Sequence, residues 1–220
     1  PFKEPSLYAL TFLPFLFFVT SKSEGWRKIM TIIMGFVIGF LNQSMILLAG
    51  CIILLLIFVN VIPKKIIIAM LIFAGFFFSR IDFSYYLERI PVGNEHVNNI
   101  SWLVFEQGWG LMYESIKSSN GLGIGFQQLG INPIYENIES SNIIYRLTDS
   151  RWNILDGGFN AAKIVSEFGF IGVLLILCYL WAAIKAALAF KKNSNTVAVF
   201  FSYSVLLSYA IELFLRGQGG

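Results

Sequence analysis

Apolar residues come in long unbroken runs along this chain, without the alternating or three-to-four spacing that half-buries an element of a water-soluble fold. A helix needs roughly 20 apolar residues to cross the hydrocarbon core, fewer where aromatics or snorkelling lysines prop its ends. Six segments meet that need: 6–21, 27–43, 44–62, 65–84, 162–186 and 195–215. Asn42, Gln43 and Ser44 interrupt the second and third, which predicts a turn between two spans. A re-entrant hairpin there would return the chain to its starting side.

Between Arg80 and Phe159 the pattern turns polar. Ser101–Lys117 places Trp102, Phe105, Trp109 and Met112 at near-helical spacing opposite Glu106 and Glu114, with Asn120 and Gly121 as a stop. This predicts an amphipathic helix over 101–117, lying on the outer leaflet. Residues 132–158, rich in Asn, Ser, Asp and Gly, read as a loop. The expected fold is all-α, a polytopic transmembrane helix bundle. Residues 1–84 hold four spans, 85–159 one large external loop and 160–220 two more spans.

Composition agrees. Only 13% of residues are charged and 56% are hydrophobic, whereas about a quarter of a soluble domain is charged. The net charge of +3 comes from lysines flanking the spans, so it reports orientation and offers nothing to nucleic acid. Cys51 and Cys178 lie inside apolar runs, where thiols pack as small hydrophobes. His96 is the sole histidine, so no zinc cluster, and no cofactor, is expected. The first residues, PFKEPSLYAL, lack a signal-peptide pattern, and both ends stop beside polar motifs. The sequence is therefore expected to be an interior or C-terminal piece of a longer protein.

Charge placement orients the spans. Lys22, Arg27 and Lys28, then Lys64 and Lys65, then Lys185, Lys191 and Lys192 all fall on one side if the chain crosses six times, and that side is cytoplasmic by the usual bias. The large loop and Arg216 then lie outside. Five of the six arginines (Arg80, Arg89, Arg146, Arg151 and Arg216) share that outer face, against the bias. Guanidinium keeps its charge and grips phosphate with a planar fork, which points to an anionic ligand. Arg146 and Arg151 are close enough in sequence to converge on one; the alternative is pairing with Glu139, Asp149 or Asp156 at a solvated surface. Glu212 and Arg216, and Lys163 and Glu167, have helical pair spacing, and the second pair reads as orienting its helix.

GLGIGFQQLG at 121–130 superficially matches a dinucleotide fingerprint, but that motif needs a preceding strand, and none is expected here. Two readings remain. The glycines let the backbone approach a neighbour, or their N–H groups hold an anion or a sugar hydroxyl. The second makes Gly123, Gly125 and Gln127 candidate substrate contacts, together with Trp109 and Asp156. A general base for a sugar hydroxyl could be His96, Glu95, Asp149 or Asp156. The external loop has no paired-acid DxD, which disfavours a nucleotide-sugar donor held through a metal.

Four stretches, in order, resemble the bacterial O-antigen polymerases of the O-antigen ligase-like superfamily. FKEPSLYAL at 2–10 is similar to their Glu-Pro-Ser motif, and FEQGWGLMYESIKSSNGLGIGFQQLG at 105–130 to their Gln-Gly-Trp helix and Gly-rich turn. LDGGFNAAKIVSEFGFIGVLL at 155–175 resembles the helix after their large periplasmic loop, and ELFLRGQGG at 212–220 their closing Arg-Gly segment. The resemblance implies a metal-independent, lipid-linked glycosyltransferase in the bacterial inner (cytoplasmic) membrane, active at the periplasmic face. It would move a growing glycan from undecaprenyl pyrophosphate onto an incoming lipid-linked repeat unit. Its partners would be undecaprenyl-pyrophosphate-linked oligosaccharide, membrane lipids, a chain-length regulator and a flippase. Arg146, Arg151 and Arg216 would hold the diphosphate, with Glu4 and His96 as further catalytic candidates. The related ligases, which transfer glycan to lipid A core, use a loop histidine where this chain reads DGGFNAAK; that favours polymerase over ligase and leaves the base unassigned. A non-enzymatic flippase or transporter would bury charge near the midplane, whereas these spans are nearly free of it.

The threading is tested by introduced cysteines in a chain lacking Cys51 and Cys178. Positions Lys22, Lys64 and Lys191 are expected to be shielded from an impermeant thiol reagent added outside, and Asn99, Ser119 and Asn142 to react with it. Equal labelling at Asn142 and Lys191 would overturn the six-span arrangement.

Overall fold

A computed structural model describes residues 5–58, 99–190 and 196–215. Within them the chain is all-helical, with a single isolated bridge between Leu129 and Asn132. The helices are α1 (Pro5–Lys22), α2 (Gly25–Leu41), α3 (Met45–Phe58), α4 (Ile100–Ser118), α5 (Glu139–Thr148), α6 (Asn160–Ala189) and α7 (Val197–Leu215), with a 3-10 turn at Pro133–Asn137. The expected span at 65–84 lies outside the described residues.

Two of these helices, α6 with 30 residues and α7 with 19, are long and apolar enough to cross a membrane. Only 22% of the most apolar stretch of α6 is buried, and Ile171, Leu174, Leu175, Leu177, Ile184 and Leu188 all face outward. A core helix of a water-soluble protein hides such side chains. An exposed run of this length suggests a membrane location, because lipid is the solvent in which it costs nothing.

The chain divides into two compact units. The first combines Pro1–Phe83 with Trp181–Ile211. In it α2 and α3 form a hairpin turned at Asn42 and Gln43, the latter with φ 50°. The Ser44 hydroxyl accepts from the Leu47 N–H at 3.3 Å and so caps the start of α3. Glycines set the helix spacing. A methyl on Gly35 would come 2.7 Å from Cys51 Sγ, and one on Gly50 would come 2.3 Å from a Leu13 methyl, so α1, α2 and α3 approach backbone-close, as helices do in lipid.

One end of this unit is held by an aromatic stack. The Phe58, Phe190 and Phe200 rings lie nearly parallel at centroid spacings of 6.4 and 5.8 Å. Lys28 Nζ sits 4.1 Å from the Phe58 ring and Lys22 Nζ 3.7 Å from the Phe200 ring. The C-terminal end of α1, the start of α2, Phe58, the residue after α6 and the start of α7 therefore meet at one end.

The second unit combines Ser84–Leu180 with Glu212–Gly220. Here α4 packs on α5 and on the 3-10 turn, around Leu111, Leu129, Ile134, Tyr135, Ile138 and Ile154. A second cluster gathers Phe159, Ala161, Ala162, Val165, Ile176 and Leu213, with Phe105, Met112 and Phe214 against it.

Phe190 is buried between its two neighbours, so Phe190→Ala should remove both ring contacts and leave a cavity. The expected loss is about 3 kcal/mol, with Phe190→Leu losing less. Thermal unfolding in detergent checks this, and an unchanged melting temperature for Phe190→Ala would remove the stack from the list of stabilising contacts.

Candidate functional site

The helix expected at 101–117 runs Ile100–Ser118, and its first turn is capped by Asn99, whose side chain accepts from the Trp102 N–H at 3.2 Å. Its fully buried stripe is Leu103, Gln107, Leu111 and Ser115, at every fourth residue. The aromatic row lies beside that stripe: Phe105 stacks on Phe159 at 5.3 Å, while Trp109 touches both Phe105 and Phe159 and stays half-exposed. Trp109 is thus positioned as a partly open ring with a fixed inner edge.

Residues 132–158 are more ordered than their composition predicts. They contain the 3-10 turn and the ten-residue α5. Helix α5 starts without a side-chain cap and buries Ser140, Ser141 and Ile144. Its inward face is largely hydroxyl, so it lacks the apolar stripe that marks a helix in sequence. The Gln107 amide donates to Ser141 Oγ at 3.0 Å across the interface. A small-residue crossing joins the next segment to α4: a methyl on Gly158 would lie 2.5 Å from the Val104 carbonyl oxygen, and one on Gly108 would lie 2.5 Å from the Phe159 ring.

The Gly-rich turn has a structural task. Helix α6 is broken at Gly169, whose φ of 58° and ψ of −133° are not helical. The break frees backbone groups, and the turn satisfies them. Ile124 N–H donates to the Ser166 carbonyl at 2.9 Å, Gly125 N–H to the Glu167 carbonyl at 3.1 Å, and Phe170 N–H to the Gly121 carbonyl at 2.9 Å. Gly123 N–H donates to Ser119 Oγ at 2.8 Å. The turn's backbone touches the helix so closely that a methyl on Gly123 would lie 2.4 Å from the Glu167 carbonyl oxygen. Of the two readings of these glycines, close backbone approach is the one observed. The N–H groups of Gly123 and Gly125 are already engaged, so they are not the anion cradle that the alternative reading required. Gln127 adopts φ 55° with its side chain exposed.

This interlock buries a carboxyl group that spacing assigned to a helical pair. Glu167 is 3% exposed. The Gln127 backbone N–H donates to its carboxyl, while Oε1 has no hydrogen-bond partner among the described residues, nor has the hydroxyl of neighbouring Ser166. Its place beside the helix break could not be read from sequence, because it depends on where the turn docks.

Two of the candidate arginines, Arg146 and Arg151, are among the described residues, and they differ. Arg151 is fixed: its guanidinium donates to the Tyr135 hydroxyl, lies 4.7 Å from the Tyr135 ring and 5.9 Å from the Tyr145 ring, and approaches Glu136 at 3.8 Å. Its side chain is still half open to solvent. Arg146 is exposed in the last turn of α5, its Nε donating to the Asn142 carbonyl at 3.4 Å. The acidic side chain that Arg151 approaches is thus Glu136, which the sequence alternatives of Glu139, Asp149 and Asp156 did not include. Asp149 ends α5 in a left-handed conformation at the exposed surface, and Asp156 is partly buried. Glu212 is buried on α7. Glu4, His96 and Arg216 lie outside the described residues. Among the described residues no group of three or more His, Cys, Asp or Glu is placed to hold a metal ion.

Gly169 generates the sharpest structural test. A methyl there would lie 2.0 Å from the Gly121 carbonyl oxygen and 2.5 Å from the Gly123 nitrogen. Both are backbone, so nothing flexible can yield. Gly169→Ala should cost upwards of about 3 kcal/mol. Gly25 has a similar φ of 53° with nothing within 4 Å of the added methyl, and Gly25→Ala should cost only about 1 kcal/mol. Comparable melting temperatures for the two variants would contradict the interlock.

No family model, curated protein or solved structure matches this chain. The resemblance to O-antigen polymerases therefore rests on its four motif stretches. Residues from three of them, Phe105 and Met112, Phe159 and Val165, and Leu213 and Phe214, pack in one cluster.

Proposed function

We propose that this chain carries the donor-binding part of a polytopic inner-membrane O-antigen polymerase. It transfers a growing glycan from undecaprenyl pyrophosphate to a lipid-linked repeat unit at the periplasmic face. The observation that carries this reading is the state of Arg151, a permanent cation held by a tyrosine hydroxyl and aromatic rings yet half open to solvent. A departing diphosphate needs fixed positive charge, and a guanidinium pre-positioned in this way stabilises developing charge without first having to be ordered. Exposed Arg146, on the adjoining helix end, adds a second cation on the same unit. Arg216 is assigned with them on sequence grounds.

Two further observations support the setting. The arginines belong to a polar unit whose Gly-rich turn is bonded to an outward-apolar helix, so the unit lies beside lipid, where a polyprenyl donor is presented. Lys22 of α1 and Lys28 of α2 gather with the end of α6 and the start of α7 at one end of the other unit, consistent with a chain that crosses repeatedly. Arg151, Arg146 and Arg216 bind the diphosphate, half-exposed Trp109 offers a ring to a sugar face, and the general base stays open among His96, Glu95, Asp149 and Asp156.

Arginine variants test this. Each of Arg146→Ala, Arg151→Ala and Arg216→Ala should cost about 2–4 kcal/mol in the transition state, roughly 10²- to 10³-fold in rate. Arg→Lys should do nearly as much harm if the fork matters as well as the charge. The readout is glycan ladder length on a gel, with a blot for the protein from the same membranes. Normal ladders from all three alanine variants at wild-type abundance would remove the arginines from the site.

A further inference from the structure

From Ser118 to Tyr135 the chain has no charged residue. The middle of this stretch is the turn pinned to the break in α6, and its outer side is apolar. Leu122 is 80% exposed and Phe126 65% exposed. The Phe126 ring lies 6.0 Å from that of Phe168, and Phe170, which backs Gly121, is itself exposed. Beyond the break the same apolar exterior continues along α6 through Ile171, Leu174 and Leu175. The apolar surface of the helix therefore does not end at the break; it extends onto the turn.

We propose that the Leu122–Phe126 turn is a membrane-inserted element, whose Leu122 and Phe126 side chains enter the acyl region of the leaflet that borders α6 at its break. Three features favour lipid over any other occupant. The patch is continuous with a helix long and apolar enough to cross a bilayer. It lies in 18 consecutive uncharged residues, and the uncharged amides Asn120, Gln127 and Gln128 that flank it suit the headgroup layer. Backbone donors also count: an N–H of irregular chain enters lipid at least cost when it is met within the protein. Here the N–H groups of Gly123, Ile124 and Gly125 all have protein acceptors. Insertion is thus shallow and rigid, like that of an interfacial anchor, and it fixes the depth at which this unit meets the membrane. The inference depends on the membrane location of α6 and is independent of the glycan chemistry.

The test uses the full chain in lipid nanodiscs, lacking Cys51 and Cys178, with an environment-sensitive fluorophore on a cysteine at Leu122 or at Phe126. Asn142, exposed on α5, is the reference position. Both turn positions should emit blue-shifted, be quenched several-fold more than Asn142 by nitroxide-labelled lipid, and be shielded from iodide. Leu122 is the arm free of packing effects, since Phe126 also stacks on Phe168. Iodide quenching equal to that at Asn142 would place the turn in water and overturn the proposal. Protection from both quenchers would overturn it equally, by showing that a protein surface or a second copy covers the patch.

Discussion

A transmembrane-length helix cannot be broken unless something replaces the backbone hydrogen bonds it loses, because lipid offers none. In this chain the break is at Gly169 and the replacement is the turn at 121–125, which exchanges three backbone hydrogen bonds with residues 166, 167 and 170. The rest of the second unit follows from that exchange. The turn must come close enough for backbone to bond backbone, so Gly121, Gly123 and Gly169 meet with no room for a β-carbon. Helix α4, which ends just before the turn, is then committed to the flank of α6, and Phe105 and Met112 pack against Phe159 and its neighbours.

The long apolar runs made most of the helices legible in the sequence. The turn at Asn42–Ser44 and the helix at 100–118 were equally visible, because each carries its own punctuation or periodicity. Helix α5 was not. Its buried face is Ser140, Ser141 and Ile144, and its inward polar contact is made with Gln107 on a helix more than thirty residues away. A hydroxyl-lined interface has the composition of a loop and becomes recognisable only when the amide opposite it is known. The partner of Arg151 escaped for a related reason. Glu136 reaches it from the 3-10 turn, at a separation that no helical spacing rule samples.

The glycine motif shows why a motif's chemistry has to be argued from its neighbours. Bare N–H groups in a Gly-rich turn are a plausible anion cradle until their acceptors are identified. Here Gly125 serves a carbonyl of α6 and Gly123 serves Ser119. The stretches that resemble O-antigen polymerases at 105–130, 155–175 and 212–220 contribute to one packed cluster. What they describe here is a packing arrangement.

If the motifs build the scaffold, any reaction chemistry of the proposed kind would reside in side chains that the scaffold positions without consuming. Arg151 has that character on the proposed reading. Its contact with Glu136 at 3.8 Å is longer than a hydrogen bond, and both side chains are more than half open to solvent, so the pair is screened and worth little as a stabilising ion pair. The Tyr135 hydroxyl and ring supply the positioning. A diphosphate that displaced Glu136 would exchange a weak, hydrated contact for charge-assisted hydrogen bonds to a guanidinium that needs no further ordering. On that reading Glu136 would hold the guanidinium loosely enough to be displaced and would keep its charge compensated between donors.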